Sequence, residues 1–179
     1  MASTSTSLRS ELGFLGFTVL LAALFGIAHD LVTAHVAVEY FTEHHVEVVP
    51  SQSPVVMALI WGVRATFVVG MLGAVMILGA NGLGSWPTLD FGRLRRALLR
   101  LMLVLYVLAM GVLFAFLQFA PRPPMEEQGP GYEANRRLVA VAFTHEFSYT
   151  GAAIGFVGFA TWIVYQRNRM KWTQKNPVP

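Results

Sequence analysis

Residues 138–165 read LVAVAFTHEFSYTGAAIGFVGFATWIVY, a stretch with no Lys or Arg and a single acidic residue, Glu146. As a helix it would be about 42 Å long at ~1.5 Å per residue, more than the ~30 Å hydrocarbon layer of a bilayer requires. Arg136 and Arg137 precede it, and Arg167, Arg169, Lys171 and Lys175 follow it. Working outward, three more runs have the same character. Residues 12–33 form one. Residues 54–80 form another, opened by Pro54, which suits a first helical turn, and closed by the turn-rich Asn81-Gly82-Leu83-Gly84-Ser85. Residues 97–120 form the last, stopped by Pro121, Pro123 and Pro124. These spans predict an all-α, integral membrane four-helix bundle occupying 1–179 as a single membrane domain. Its outer loops are 41–53 and 121–137, its inner loop is 81–96 and its basic tail is 166–179. The first run is read as an uncleaved span rather than a signal peptide, because only Arg9 precedes it, it is too long and no A-x-A site follows. No repeat argues for an inverted-repeat transporter and no segment reads as a separate soluble domain.

Composition agrees. Of 179 residues, 55% are hydrophobic and 13% charged, about half the ~25% charged of a soluble domain. The chain has no cysteine, which excludes disulfides, thiolate zinc sites, cysteine-held iron–sulfur clusters, thioether-attached haem and cysteine nucleophiles. Its net charge of +3 reflects membrane topology rather than nucleic-acid binding. With the N-terminus inside, eight Lys/Arg fall on the inner side and three on the outer. That bias predicts both termini cytoplasmic in a multi-pass inner-membrane protein. Loop 41–53 carries Glu43, His44, His45 and Glu47 but no cation, as an outer loop would. Trp86, Trp162 and Trp172 fall where an inner aromatic belt sits. Close helix packing in lipid needs small residues. The fourth span has Thr144, Ser148, Gly151, Gly155 and Gly158 in one stripe, and the second has Gly62, Thr66, Gly70 and Gly73. These two spans are therefore expected to make the tight contact. The stripes also offer a surface to a second copy or to a membrane-complex partner, beside the lipid bilayer itself.

Ionisable side chains inside spans cost about 2.5–3.5 kcal/mol each on insertion scales and tend to mark function. This chain has five: His29 and Asp30 in span one, Arg64 in span two, His145 and Glu146 in span four. Arg100 is close enough to an end to snorkel. Counted along the helices, His29 lies about 24 Å above the inner side, His145 about 10 Å and Arg64 about 15 Å below the outer side. All five thus belong to the outer half. His29 and Asp30 share a side with Thr33, and His145 and Glu146 with Tyr149, a face expected to point away from the small-residue stripe. Asp30 and Glu146 against Arg64 leave one negative charge, to be met by a shared proton, an imidazolium, a divalent metal or a cationic ligand. The expected metal set is His29, Asp30, His145 and Glu146, with Arg64 as counter-charge and Tyr149 and Thr33 as supports. A weaker set is His35, Glu39 and Glu43, which would line up at i, i+4, i+8 if the first helix ran on past the membrane; the same residues also read as a solvated face. The five buried groups also admit a purely structural reading, in which Arg64 bridges the two carboxylates and the network fixes the bundle.

At His29-Asp30-Leu31-Val32-Thr33, Glu39-Tyr40-Phe41-Thr42 and His145-Glu146-Phe147-Ser148-Tyr149-Thr150-Gly151 the chain resembles a group of uncharacterised bacterial four-span membrane proteins. Their pattern is H/N-D-x-V-T, then E-Y-F-T, then H-x-x-S-Y-x-G in the last span. The resemblance covers about twenty residues in two regions and implies a common site joining spans one and four, with no assigned activity. Two classes of function stand: a metal- or cofactor-binding module, and a proton-linked carrier or non-catalytic accessory subunit. Among cofactors, His29 and His145 suit a divalent transition metal better than haem, since carboxylates beside axial ligands are not an apolar haem pocket. No G-x-S-x-G, H-E-x-x-H or phosphate-cradling glycine loop occurs. Whether the chain is an enzyme stays open at this point.

Overall fold

The computed structural model of the protein describes residues 8–125 and 128–176. Its helices are α1 (Leu8–Val36), α2 (Glu39–Thr42), α3 (Pro54–Gly82), α4 (Phe91–Phe119) and α5 (Tyr132–Lys175). All but α2 are long and apolar enough to cross a membrane, and the described residues contain no strand. Local chemistry explains the helix ends. Pro54 opens the first turn of α3. Asp90 accepts a hydrogen bond from the Arg93 amide at 3.0 Å and caps α4. Gly131 enters α5 at φ 81°, a left-handed conformation that favours glycine. The basic tail is not a separate segment, because α5 runs on through it to Lys175. Its 44 residues span about 66 Å, roughly twice the thickness of a ~30 Å hydrocarbon layer.

Contacts fix the helix directions. Gly26 of α1 meets Gly62, and Ala22 meets Gly70, so α1 and α3 are antiparallel. Leu105 meets Gly151 and Leu101 meets Gly155, so α4 and α5 are antiparallel too. Phe156 covers Gly73, and Arg167 reaches Ala80, which makes α3 and α5 parallel neighbours. Side chains on the outside are apolar as well as those within: Leu20, Leu24, Phe67, Leu72, Leu103 and Ile154 are all exposed. A helix bundle apolar on both its inner and outer surfaces suits lipid rather than water.

The small-residue stripes do not pair as the sequence reading has it. A Cβ on Gly26 would fall on the carbonyl of Gly62, and one on Gly62 would collide with the backbone of Ile27. The tight crossing is therefore α1 on α3, backbone against backbone. Gly73 of α3 does receive the Phe156 ring of α5, but Gly151 and Gly155 face leucines of α4, and Gly158 faces open space. The physical reason is that Gly26 of α1, which belonged to neither stripe, gives α3 a partner with no side chain at the crossing. The main apolar core then fills the end nearer the termini, around Phe14, Ile77, Leu94, Leu98, Phe156 and Ile163.

Two buried arginines hold the turns. Arg167, 2% exposed, donates to the carbonyls of Ala80, Leu83, Trp86 and Pro87 at 2.6, 2.8, 3.1 and 3.0 Å. It thereby satisfies orphan carbonyls at the end of α3 and in the following turn. Asn81 completes that turn by bonding both backbone groups of Leu89. At the other end Arg136 donates to the Leu117 carbonyl in the last turn of α4.

Gly26→Val should force α1 off α3 and lower stability by about 1–3 kcal/mol or more. Gly16→Val, placed where nothing lies within 4 Å, should leave the thermal melting midpoint in detergent nearly unchanged. Equal midpoints for the two variants would contradict the crossing. Arg167→Met should cost about 3 kcal/mol or more, because several carbonyls lose a charged donor together, and Arg167→Lys should recover only part of it, since a single ammonium cannot span the same fork.

Candidate functional site

His29 and Asp30 sit one turn beyond the glycine crossing on α1, and His145 comes to them from α5. All three are buried. Oδ1 of Asp30 lies 3.0 Å from Nδ1 of His29 and 3.2 Å from Nε2 of His145. The two rings stand edge to face with centroids 4.6 Å apart. One ligand atom from each residue falls within 4.8 Å of the others, and no second such group of His, Asp or Glu occurs among the described residues.

The remaining ring nitrogens are engaged. Nδ1 of His145 lies 2.9 Å from the carbonyl of Val141, which can only accept, so that nitrogen carries hydrogen. Nε2 is then the atom turned to Asp30, and a hydrogen in this contact makes it attractive, whether it rides on the ring or on the carboxyl. Nε2 of His29 lies 3.0 Å from the Ser148 hydroxyl, which is also 2.9 Å from the Thr144 carbonyl. Thr33, fully buried, donates to the His29 carbonyl at 3.2 Å. A continuous polar path therefore runs from Ser148 through His29 and Asp30 to His145.

Aromatic rings close the site. Phe25 stacks on His29 with centroids 6.0 Å apart. Helix α2 lays Tyr40 and Phe41 over His145, at 4.5 and 5.5 Å. Burial, reinforced by negative charge from Tyr149, Glu146 and Asp30, pushes the Tyr40 phenol up to about 12. On the side of the main apolar core the cluster opens into a cavity of about 40 Å³ bordered by Phe25, Ala65, Thr66, Val69, Tyr149 and Phe156. That is room for one to a few waters, each needing roughly 10–15 Å³ by this measure.

Several expected members lie elsewhere. Arg64 is exposed on α3, its guanidinium 5.4 Å above the Trp61 ring, and is not the counter-charge of the cluster. Residue 64 falls outside because the small side of α3, Gly62 and Thr66, is the one turned inward. Glu146 is exposed and is not one of the three converging ligands; Tyr149, 41% exposed, does reach the site, its ring centroid 6.5 Å from that of His145 and its side chain bordering the cavity. The expected separation between the polar face and the small-residue stripe on α5 is thus reversed. His145 is buried together with Thr144 and Ser148, and Glu146 points outward, one residue being a rotation of about 100°. The set His35, Glu39 and Glu43 does not form. Helix α1 stops at Val36 and α2 starts anew at Glu39, which breaks the i, i+4, i+8 row. All three side chains are exposed, and His35 donates to its own helix at Leu31, 2.6 Å away. His44 is exposed, whereas His45 packs against Trp61 at 4.6 Å.

Two contributors were missed by reasoning from residue types. Ser148 looked like a packing residue, and Tyr40 lay beyond the span. Both stand inside the short motif segments, which was the one signal that joined them to His29 and His145.

In a spectrophotometric titration, the phenolate absorbance absent from Tyr40→Phe should develop only near pH 12, about two units above the ordinary value of 10.0. The folded state holds this proton more tightly than the unfolded chain. Its contribution to stability is full below pH 10 and is lost as pH rises through 12; a Tyr40 titration near pH 10 would show that the ring is not buried against the cluster. Comparison with protein-family models, with curated proteins and with solved structures finds no match to the chain.

Proposed function

We propose that the chain is a multi-pass membrane protein that holds a divalent transition metal ion through Nδ1 of His29, Oδ1 of Asp30 and Nε2 of His145. The observation that carries this reading is the convergence of the three buried ligand atoms within 4.8 Å, each ring oriented by a further partner. His145 is steered by the Val141 carbonyl and His29 by the Ser148 hydroxyl. Outer hydrogen bonds of this kind fix which nitrogen faces a metal and raise its basicity. The Asp30–histidine separations of 3.0 and 3.2 Å lie between the ligand–ligand edges of an octahedral and a tetrahedral site, about 2.9 and 3.3 Å at ~2.0–2.1 Å bonds. Two imidazoles and a carboxylate suit iron(II), manganese or zinc and leave coordination positions open. The cavity of about 40 Å³ accommodates water at those positions and not a macrocycle, which favours a bare ion over haem. The Lys/Arg count supports placing both termini on the cytoplasmic side of a bacterial inner membrane, with the cluster in the outer half.

A second reading has its own observation. The same separations are those of hydrogen bonds, and Ser148, His29, Asp30 and His145 form an unbroken path. A chain of this kind can hold and pass a proton, with imidazole as the carrier, in a proton-linked carrier or an accessory subunit of a larger assembly.

Elemental analysis of protein purified in detergent without chelator separates the two. Stoichiometric metal should be present in the wild type and lost from His29→Ala and His145→Ala. Ser148→Ala should weaken metal affinity by about 10–100-fold, while Arg64→Leu and Glu146→Gln retain the metal. Protein that stays metal-free after incubation with iron(II), manganese and zinc overturns the metal reading and leaves the proton path.

A further inference from the structure

Arg64 and Glu146 share three properties. Each is exposed on a helix long and apolar enough to lie in a membrane. Neither has an ion-pair partner among the described residues; Arg64 has only the face of Trp61, on its own helix. They also stand at the same height. Helices α3 and α5 run in the same direction, and Phe156 covers Gly73. Counting back from that contact, nine residues on α3 reach Arg64 and ten on α5 reach Glu146. The cavity gives an independent register point, since Ala65 and Thr66 border it together with Ser148 and Tyr149. The two charges are therefore level to within about one helical turn, ~5.4 Å. Both flank the same opening: Arg64 adjoins Ala65, and Glu146 is one turn from Tyr149.

An unpaired charge facing lipid is costly, and two opposite ones at equal depth offer a mutual remedy. We propose that two copies of this chain associate in the membrane about a two-fold axis parallel to the helices, Arg64 of each copy pairing with Glu146 of the other. An axis in that direction leaves every residue at its own depth, so reciprocal pairs form only between groups that are level, as these are. The interface is isologous, α3 of one copy lying against α5 of the other. Exposed Val63, Phe67 and Phe143 lie beside the charges and supply the apolar part of the contact. A guanidinium fits the role, because its planar fork can meet a carboxylate with two hydrogen bonds. The proposal is independent of the metal reading, since neither residue belongs to the His29–Asp30–His145 cluster.

Charge reversal tests it with the full-length chain carrying two different tags, co-expressed and captured through one tag in mild detergent. Wild-type copies should co-purify. Arg64→Glu alone and Glu146→Arg alone should each lose self-association by about tenfold or more, since both contacts in either homodimer become like-charged. Mixing the two variants should restore it, because the first copy then brings two carboxylates and the second two guanidinium groups, and both contacts become complementary. Helical circular dichroism and melting of each variant show that the bundle is intact. Monomeric wild-type protein, both in detergent and in lipid nanodiscs, overturns the proposal. So does a mixture that fails to associate, the result expected if the two residues pair within one chain.

Discussion

The approach of α1 to α3 at Gly26 and Gly62 is the contact on which the rest of the bundle depends. Backbone meets backbone there, and no side chain larger than hydrogen fits at either position. A bundle placed in lipid would gain nothing from hiding apolar surface from water, so its association would rely on this kind of close fit. The crossing sits one turn below His29 and Asp30. With α1 seated on α3, those two residues are left to face α5, and His145 meets them at hydrogen-bond distance.

Polar groups in this structure fall into two kinds by what they face. Arg167, Asn81 and Arg136 meet backbone carbonyls and amides at helix ends, where the peptide chain leaves groups unpaired. They finish the scaffold. His29, Asp30 and His145 instead meet one another between α1 and α5, away from the helix ends, and only His145 adds a bond to a backbone group, the Val141 carbonyl. A buried carboxylate between two imidazoles, without an arginine beside it, holds a single negative charge that needs a proton or a metal ion to balance it. That requirement gives the cluster its chemistry, and it follows from the outward position of Arg64 and Glu146.

The covering layer is as consequential as the cluster. Phe25, Tyr40 and Phe41 enclose the rings, and a small cavity with mostly apolar walls lies alongside. Low dielectric strengthens every interaction within it. Helix α2, only four residues long, has its main effect here, since the break after Val36 turns the chain back over His145 rather than letting α1 continue outward.

Much of the fold was legible in the sequence. Runs of apolar residues bounded by prolines, by Asn-Gly and by arginines mark four long helices because a bilayer imposes length and composition directly on the chain. His29, Asp30 and His145 were legible too, as costly groups at matching depth, and depth follows from counting residues along a helix. Rotation does not. Whether Glu146 or His145 points inward is a matter of one residue, and whether Arg64 joins the cluster depends on which side of α3 is pressed against α1. The stripes of span two and span four were equally good partners on paper; Gly26 decided the pairing, and its sign in the sequence was the shorter small-residue row Thr18, Ala22 and Gly26 of α1, a row that the reading of the stripes passed over. Sequence alone determined where the long apolar helices run and how far along them each ionisable group lies, since position along a helix is a one-dimensional quantity. Only the tertiary structure decided which of them meet, because neighbours across helices are set by backbone contacts between segments far apart in the chain.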